Sequence, residues 1–199
     1  MFIEGEFLIL LLLFLIALLY SSVGHGGASG YLAVLSLTIY AEYDSGWLKQ
    51  HAWALNLVVA AIAFYHYKKA GFFNLKLTLP FILGSIPFAI IGGYLRVDGV
   101  FYDTLLSITL IWAAYKLLQI KEVYSETKIE APSLRYTIPI GGGVGLMSGM
   151  IGVGGGIFLS PILLLKKWAD PKTAAATAAL FIWVNSIAGL VGAGISGQL

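Results

Sequence analysis

Two short glycine clusters, Gly24-His25-Gly26-Gly27-Ala28 and Gly152-Val153-Gly154-Gly155-Gly156, sit inside long apolar stretches and are the residues best suited to chemistry. Glycine adopts positive φ at little steric cost and lets backbone N–H groups approach a ligand with no Cβ in the way. A helix restarting after each cluster, near Ala28 and near Gly156, would aim its N-terminus and the positive end of its dipole at the break. Unpaired N–H groups combined with that dipole make an anion site. Close helix packing is the other use of glycine, and Gly141, Gly145 and Gly149 have the small-xxx-small spacing for it, as do Gly152 and Gly156. Gly141 and Gly142 are read as packing positions. Gly24, Gly26, Gly27, Gly152, Gly154, Gly155 and Gly156 are read as substrate-binding candidates.

About 30 residues beyond each cluster a second match occurs. Ala52-Trp53-Ala54-Leu55-Asn56 lies against Phe181-Ile182-Trp183-Val184-Asn185. Two matches at nearly equal spacing point to an internal repeat. Asn56 and Asn185 are polar groups in the middle of apolar helices, suited either to an interhelical hydrogen bond or to a ligand. Trp53 and Trp183 are candidate walls of the same cavity, or core packing. Ser22 and Ser148 offer hydroxyl donors beside the clusters, although helix capping explains such serines equally well. His25 is the one titratable side chain expected near mid-membrane. It could couple transport to protons, or it could be a neutral histidine satisfied by a backbone carbonyl. Val153 takes the matching place in the second cluster.

What the chain lacks narrows the chemistry further. It has no cysteine, so thiolate metal sites and thiol chemistry are excluded. No carboxylate falls in an apolar interior, which argues against a carboxylate cation site or proton relay. The phosphate-binding G-x-x-x-x-G-K-[ST], H-E-x-x-H and G-x-S-x-G patterns are all missing, so the reading is of a non-enzyme with no cofactor and no metal. A net charge of +2 gives no reason to expect nucleic acid.

The elements that must position these residues are membrane helices. Of 199 residues 59% are hydrophobic and 11% charged, against about 25% charged in a soluble domain. Mean hydropathy is +0.88, which places the chain in the lipid bilayer of a cell membrane. Four helical spans are expected at about 45–66, 77–95, 101–120 and 173–195. Residues 7–40 and 136–165 are apolar but broken by the glycine clusters, and the first leaves arms of about 14 residues, too short to cross. Each is therefore either one broken crossing or a hairpin returning to its own side. Reading both as hairpins gathers Lys68, Lys69, Lys76, Lys116, Lys121, Lys128, Arg135, Lys166, Lys167 and Lys172 on one face and leaves Lys49 and Arg96 on the other. That asymmetry selects hairpins, with basic loops cytoplasmic and the N-terminus outside. The fold class is thus an all-α membrane protein of inverted repeats, each a re-entrant or broken hairpin followed by transmembrane helices. Residues 1–128 form the first repeat and 129–199 the second. The second stops after one span, so two C-terminal helices are expected to be missing. Either the chain is a shortened form, or it is a natural short form that completes itself by association, which leaves a homo-oligomer open.

The sequence resembles the sulfite exporter TauE/SafE family of membrane permeases. The residues that carry the resemblance are Ser21-Ser22-Val23-Gly24-His25-Gly26-Gly27, Ser148-Gly149-Met150-Ile151-Gly152-Val153-Gly154-Gly155-Gly156 with Pro161, and Asp170-Pro171-Lys172-Thr173-Ala174-Ala175-Ala176-Thr177 leading to Asn185. The resemblance implies two repeats with about eight membrane segments, and secondary transport, in the outward direction, of sulfite, a sulfonate or a related sulfur-containing anion. An anion channel, or a transporter of a carboxylate or other organic anion, is the alternative. A membrane-embedded enzyme or assembly subunit lacks any nucleophile–base pair to support it.

Overall fold

Two aspartates begin the two longest helices. Asp44 accepts a hydrogen bond from the Trp47 amide at 2.8 Å, and Asp170 accepts from the amides of Lys172 and Thr173 at 2.9 and 3.0 Å, with Pro171 at the first helical position. Side-chain oxygens satisfying first-turn N–H groups are what let a helix start there. The computed structural model describes residues 2–118 and 132–199. Those residues form eight α-helices, with no strand among them: α1 (Phe2–Ser21), α2 (Ala28–Ser36), α3 (Ser45–Lys69), α4 (Leu75–Tyr94), α5 (Gly99–Leu118), α6 (Leu134–Ile151), α7 (Gly156–Leu165) and α8 (Pro171–Ile195). A 3-10 turn, Ile39–Glu42, joins α2 to α3. The all-helical class and four long helices agree with the sequence. Residues 119 and 120 of the expected third span and the boundary at 128–129 lie outside the described residues.

The broken stretches are interrupted at the glycine clusters, but their arms differ in length from expectation. α1 has 20 residues and α2 has 9; α6 has 18 and α7 has 10. The first helix starts well before residue 7 because Glu4 and Glu6 are good helix formers and continue it. The two breaks share a backbone plan. Gly24 and Gly152 have φ of 75° and 92°, Gly27 and Gly155 have φ of 96° and 86°, and a helix restarts at the next residue, Ala28 or Gly156. Left-handed conformations of this kind are costly for any residue with a Cβ.

Small residues decide how the long helices pack. Gly141, Gly145 and Gly149 of α6 lie on the backbone of Phe81, Ser85 and Ala89 of α4, so closely that a Cβ at any of the three would overlap a carbonyl oxygen. Both series advance by four residues, so α4 and α6 run parallel with their surfaces interlocked. On the other side of α4, Gly192 of α8 lies on Ile90, and Thr78 and Thr177 share a hydrogen bond at 3.0 Å, which makes α4 and α8 parallel as well. α3 runs antiparallel to α8: Gly46 lies near Gln198, Trp53 packs over Gly189, and Asn56 meets Ser186.

The exterior is apolar. Phe7, Leu10, Phe14 and Leu18 of α1, Ile108 and Ile111 of α5, and Ile187, Val191 and Ile195 of α8 are all exposed. Such a continuous surface suits hydrocarbon rather than water, and α4 and α8 have the length and composition of membrane crossings.

Candidate functional site

The two breaks converge on one side chain. Asn56, fully buried on α3, has its Oδ1 against Gly26 and its Nδ2 against Gly154. A Cβ on Gly26 would overlap Oδ1, and a Cβ on Gly154 would stand 2.6 Å from Nδ2. The amide donates to Ser186 Oγ at 3.3 Å, while Oδ1 has no hydrogen-bond partner. Ile182 of α8 completes the junction, touching Gly26, Gly154 and Gly156. Each restarting helix begins here with a left-handed glycine that provides no side-chain cap. Two helix N-termini therefore open at the level of Asn56, and first-turn N–H groups at such ends are intrinsically short of partners.

The breaks then extend in opposite directions along α3 and α8. Gly24 lies against the Ala175 backbone, near the start of α8; Gly152 lies against Lys49, near the start of α3. Lys49 stands five positions after the Asp44 cap and Ala175 five after the Asp170 cap. In the same register Asn56 and Ile182 each stand twelve positions after a cap. Counted from the caps, Asn56 thus stands level with Ile182, three positions before Asn185.

Asn185 has another task. Its Nδ2 donates to Ser85 Oγ at 3.0 Å and to Phe181 O at 2.8 Å, which ties α8 to α4. The three-residue offset is close to one helical turn, so both registers present similar faces and the sequence could not separate them. Trp53 is fully buried over Gly189, but Trp183 is 37% exposed, so it belongs to the outer surface and does not wall the junction. Ser148 is fully buried with no partner for its hydroxyl, and its carbonyl accepts from the Gly152 amide at 2.8 Å. Gly27 lies on the Tyr31 ring and Gly155 on Phe181.

His25 and Ser22 face a cavity of about 680 Å³ that opens beside Tyr67 and Lys172. Its walls are mostly apolar, formed by Leu19, Val23, Ile157 and Leu164, with Ser160 as a further polar group. His25 Nδ1 lies 3.0 Å from Val23 O, its ring meets Tyr20 edge-on, and it interacts with the backbone of Gly156, so it bridges the two breaks. Tyr67 Oη donates to Ser22 O at 2.7 Å and anchors the first break to the end of α3.

Lys49, Ile182 and Ser186 were not singled out in the sequence. Counting from the aspartate caps would have found Ile182, and the same count would have set Lys49 opposite Ala175.

Comparison with known proteins agrees with this architecture. The model of the sulfite exporter TauE/SafE family matches residues 9–199. The probable membrane transporter protein y4hK of Sinorhizobium fredii (strain NBRC 101917 / NGR234) is 34% identical over 183 residues, covering 90% of this chain and 73% of that protein. No solved structure matches the chain. Broken helices meeting at a buried amide, an apolar exterior and a family match over nearly the whole length lead to one assignment: the chain belongs to the sulfite exporter TauE/SafE family of membrane transporters.

Proposed function

We propose that this transporter moves a small sulfur-containing anion, sulfite, a sulfonate or a related compound, out of the cell through a site between the two breaks. The observation that carries the reading is the Asn56 amide, buried between Gly26 and Gly154 where α2 and α7 both begin. An anion there would meet neutral donors and two helix dipole ends, with no carboxylate to repel it. Neutral donors hold an anion loosely enough to release it, which a carrier requires.

The matched contacts support reading residues 1–128 and 129–199 as inverted repeats. Gly24 rests on α8 of the other half, Gly152 on α3 of the other half, and both halves share the Asn56 and Ile182 junction. Broken helices at a repeat interface are a recurring plan of alternating-access transporters. The His25 cavity opens at the end of α3 that carries Lys68 and Lys69, the cytoplasmic end by the distribution of basic residues. A second reading, an organic anion with a carbon skeleton such as a carboxylate, is favoured by the size and apolar walls of that cavity.

Uptake of sulfite and methanesulfonate into vesicles reconstituted with the protein tests the site. Asn56→Asp keeps the shape but places a negative charge between the breaks, and transport should fall at least about tenfold, the effect of losing a hydrogen bond to a charged group. An unchanged rate rejects the site. Flux that never saturates with anion favours a channel.

A further inference from the structure

We propose that Lys49 is an anion-binding residue, a buried cation on the second break that holds the anion at the opposite end of the path from the His25 cavity. The inference rests on the transport reading above and extends it to a second position. Lys49 is fully buried. Its stem packs on Gly152, with Cγ 2.8 Å from where a Cβ of that glycine would be, and its Nζ lies 3.5 Å from Gln198 Oε1. An ammonium carries three donors, and one long contact to an amide oxygen leaves most of that capacity unused. Among the described residues no carboxylate lies within 4.0 Å of it, although Asp98 and Asp44 are near enough to attract its charge. Asp44 is engaged as the cap of α3, and Asp98 accepts from Ser45.

A buried charge without a close counter-ion is expensive, and inside a membrane such a residue marks a binding position or an ion path. A packing role alone does not call for a charge here, because the matching residue on α8, Ala175, supports Gly24 with its backbone alone. A second polar group lies on the same break: the Ser148 hydroxyl, one turn before Gly152, is fully buried and has no partner. A cation packed on the left-handed glycine from α3, with a hydroxyl one turn before that glycine on α6, suits a small oxyanion. The position also makes the two halves unequal. His25 lies on the first break toward the Tyr67 end of α3, and Lys49 on the second break toward the other end, so an anion leaving the junction in that direction meets a fixed positive charge.

The test compares the purified full chain with Lys49→Met and Lys49→Gln, using methanesulfonate and sulfite as probes and reading both melting temperature and affinity. Methionine fills the same space without the charge. The expected result is that Lys49→Met melts higher than the wild type without anion, because an unpaired buried charge is gone, while affinity falls about tenfold to a hundredfold. Lys49→Gln should show the same loss of affinity. Wild-type affinity in either variant overturns the proposal and leaves the transport reading intact. Failure of the wild type to bind either probe overturns both.

Discussion

Asn56 can touch both breaks because neither Gly26 nor Gly154 has a side chain, and any larger residue at either position would push the amide away. Asp170 shows the same dependence on a single group at the edge of the membrane. Burial raises the pKa of its carboxyl, but hydrogen bonds from the Thr173 hydroxyl and from the amides of Thr173 and Lys172 outweigh that and hold it below the ordinary value of 3.8. A lowered folded pKa contributes stability at higher pH that disappears as pH falls through the folded value. Melting temperature should therefore drop below about pH 4 in the wild type, and Asp170→Ala should be destabilised near neutral pH by about 1 kcal/mol and lose that acid dependence. A melting series from pH 7 to pH 3 on both proteins checks it. The cap was legible in the sequence because aspartate before proline at a helix start has a clear local cause. The partner of Asn56 was not, since two registers one turn apart differ only in tertiary contacts.

At the scale of elements, α4 and α6 are held together by the absence of side chains. Gly145 lies on the Ser85 backbone, whereas Gly143, two residues away on the same helix, has nothing within 4 Å of a would-be Cβ. Gly145→Leu should separate the two helices and abolish the folded monodisperse protein in size-exclusion chromatography. Gly143→Ala should leave the fold intact and raise stability by about 0.5–1 kcal/mol, as alanine does in a helix interior. A folded Gly145→Leu with normal stability would contradict the packing account. The packing role of Gly141 followed from its four-residue spacing alone. The lengths of the hairpin arms did not, because a reading by apolar runs stops at Glu4 and Glu6, while a helix continues through residues that favour it. Equal arms of about 14 residues became a long and a short arm, and the restarts of α2 and α7, rather than the ends of α1 and α6, define the junction.

At the scale of the whole molecule, the scarce charges and the surplus glycines describe one arrangement. Charge is almost excluded from the helices that face lipid, and glycine is concentrated where helices touch or break. His25 stands on one side of the junction and Lys49 on the other. The membrane class and the broken helices were legible because composition and glycine clustering are properties of the chain itself. The burial of Lys49 was hidden, since a lysine five residues past a cap looks like an interfacial charge until the second break is seen to cover it. The central claim is that an anion sits where both breaks meet, and anomalous diffraction from crystals of the full chain soaked in selenite, a heavier analogue of sulfite, tests it most directly. The account predicts an anomalous peak between Gly26 and Gly154 within hydrogen-bond reach of Asn56 Nδ2. A selenite peak confined to the protein surface, with the junction empty at saturating concentration, would contradict it.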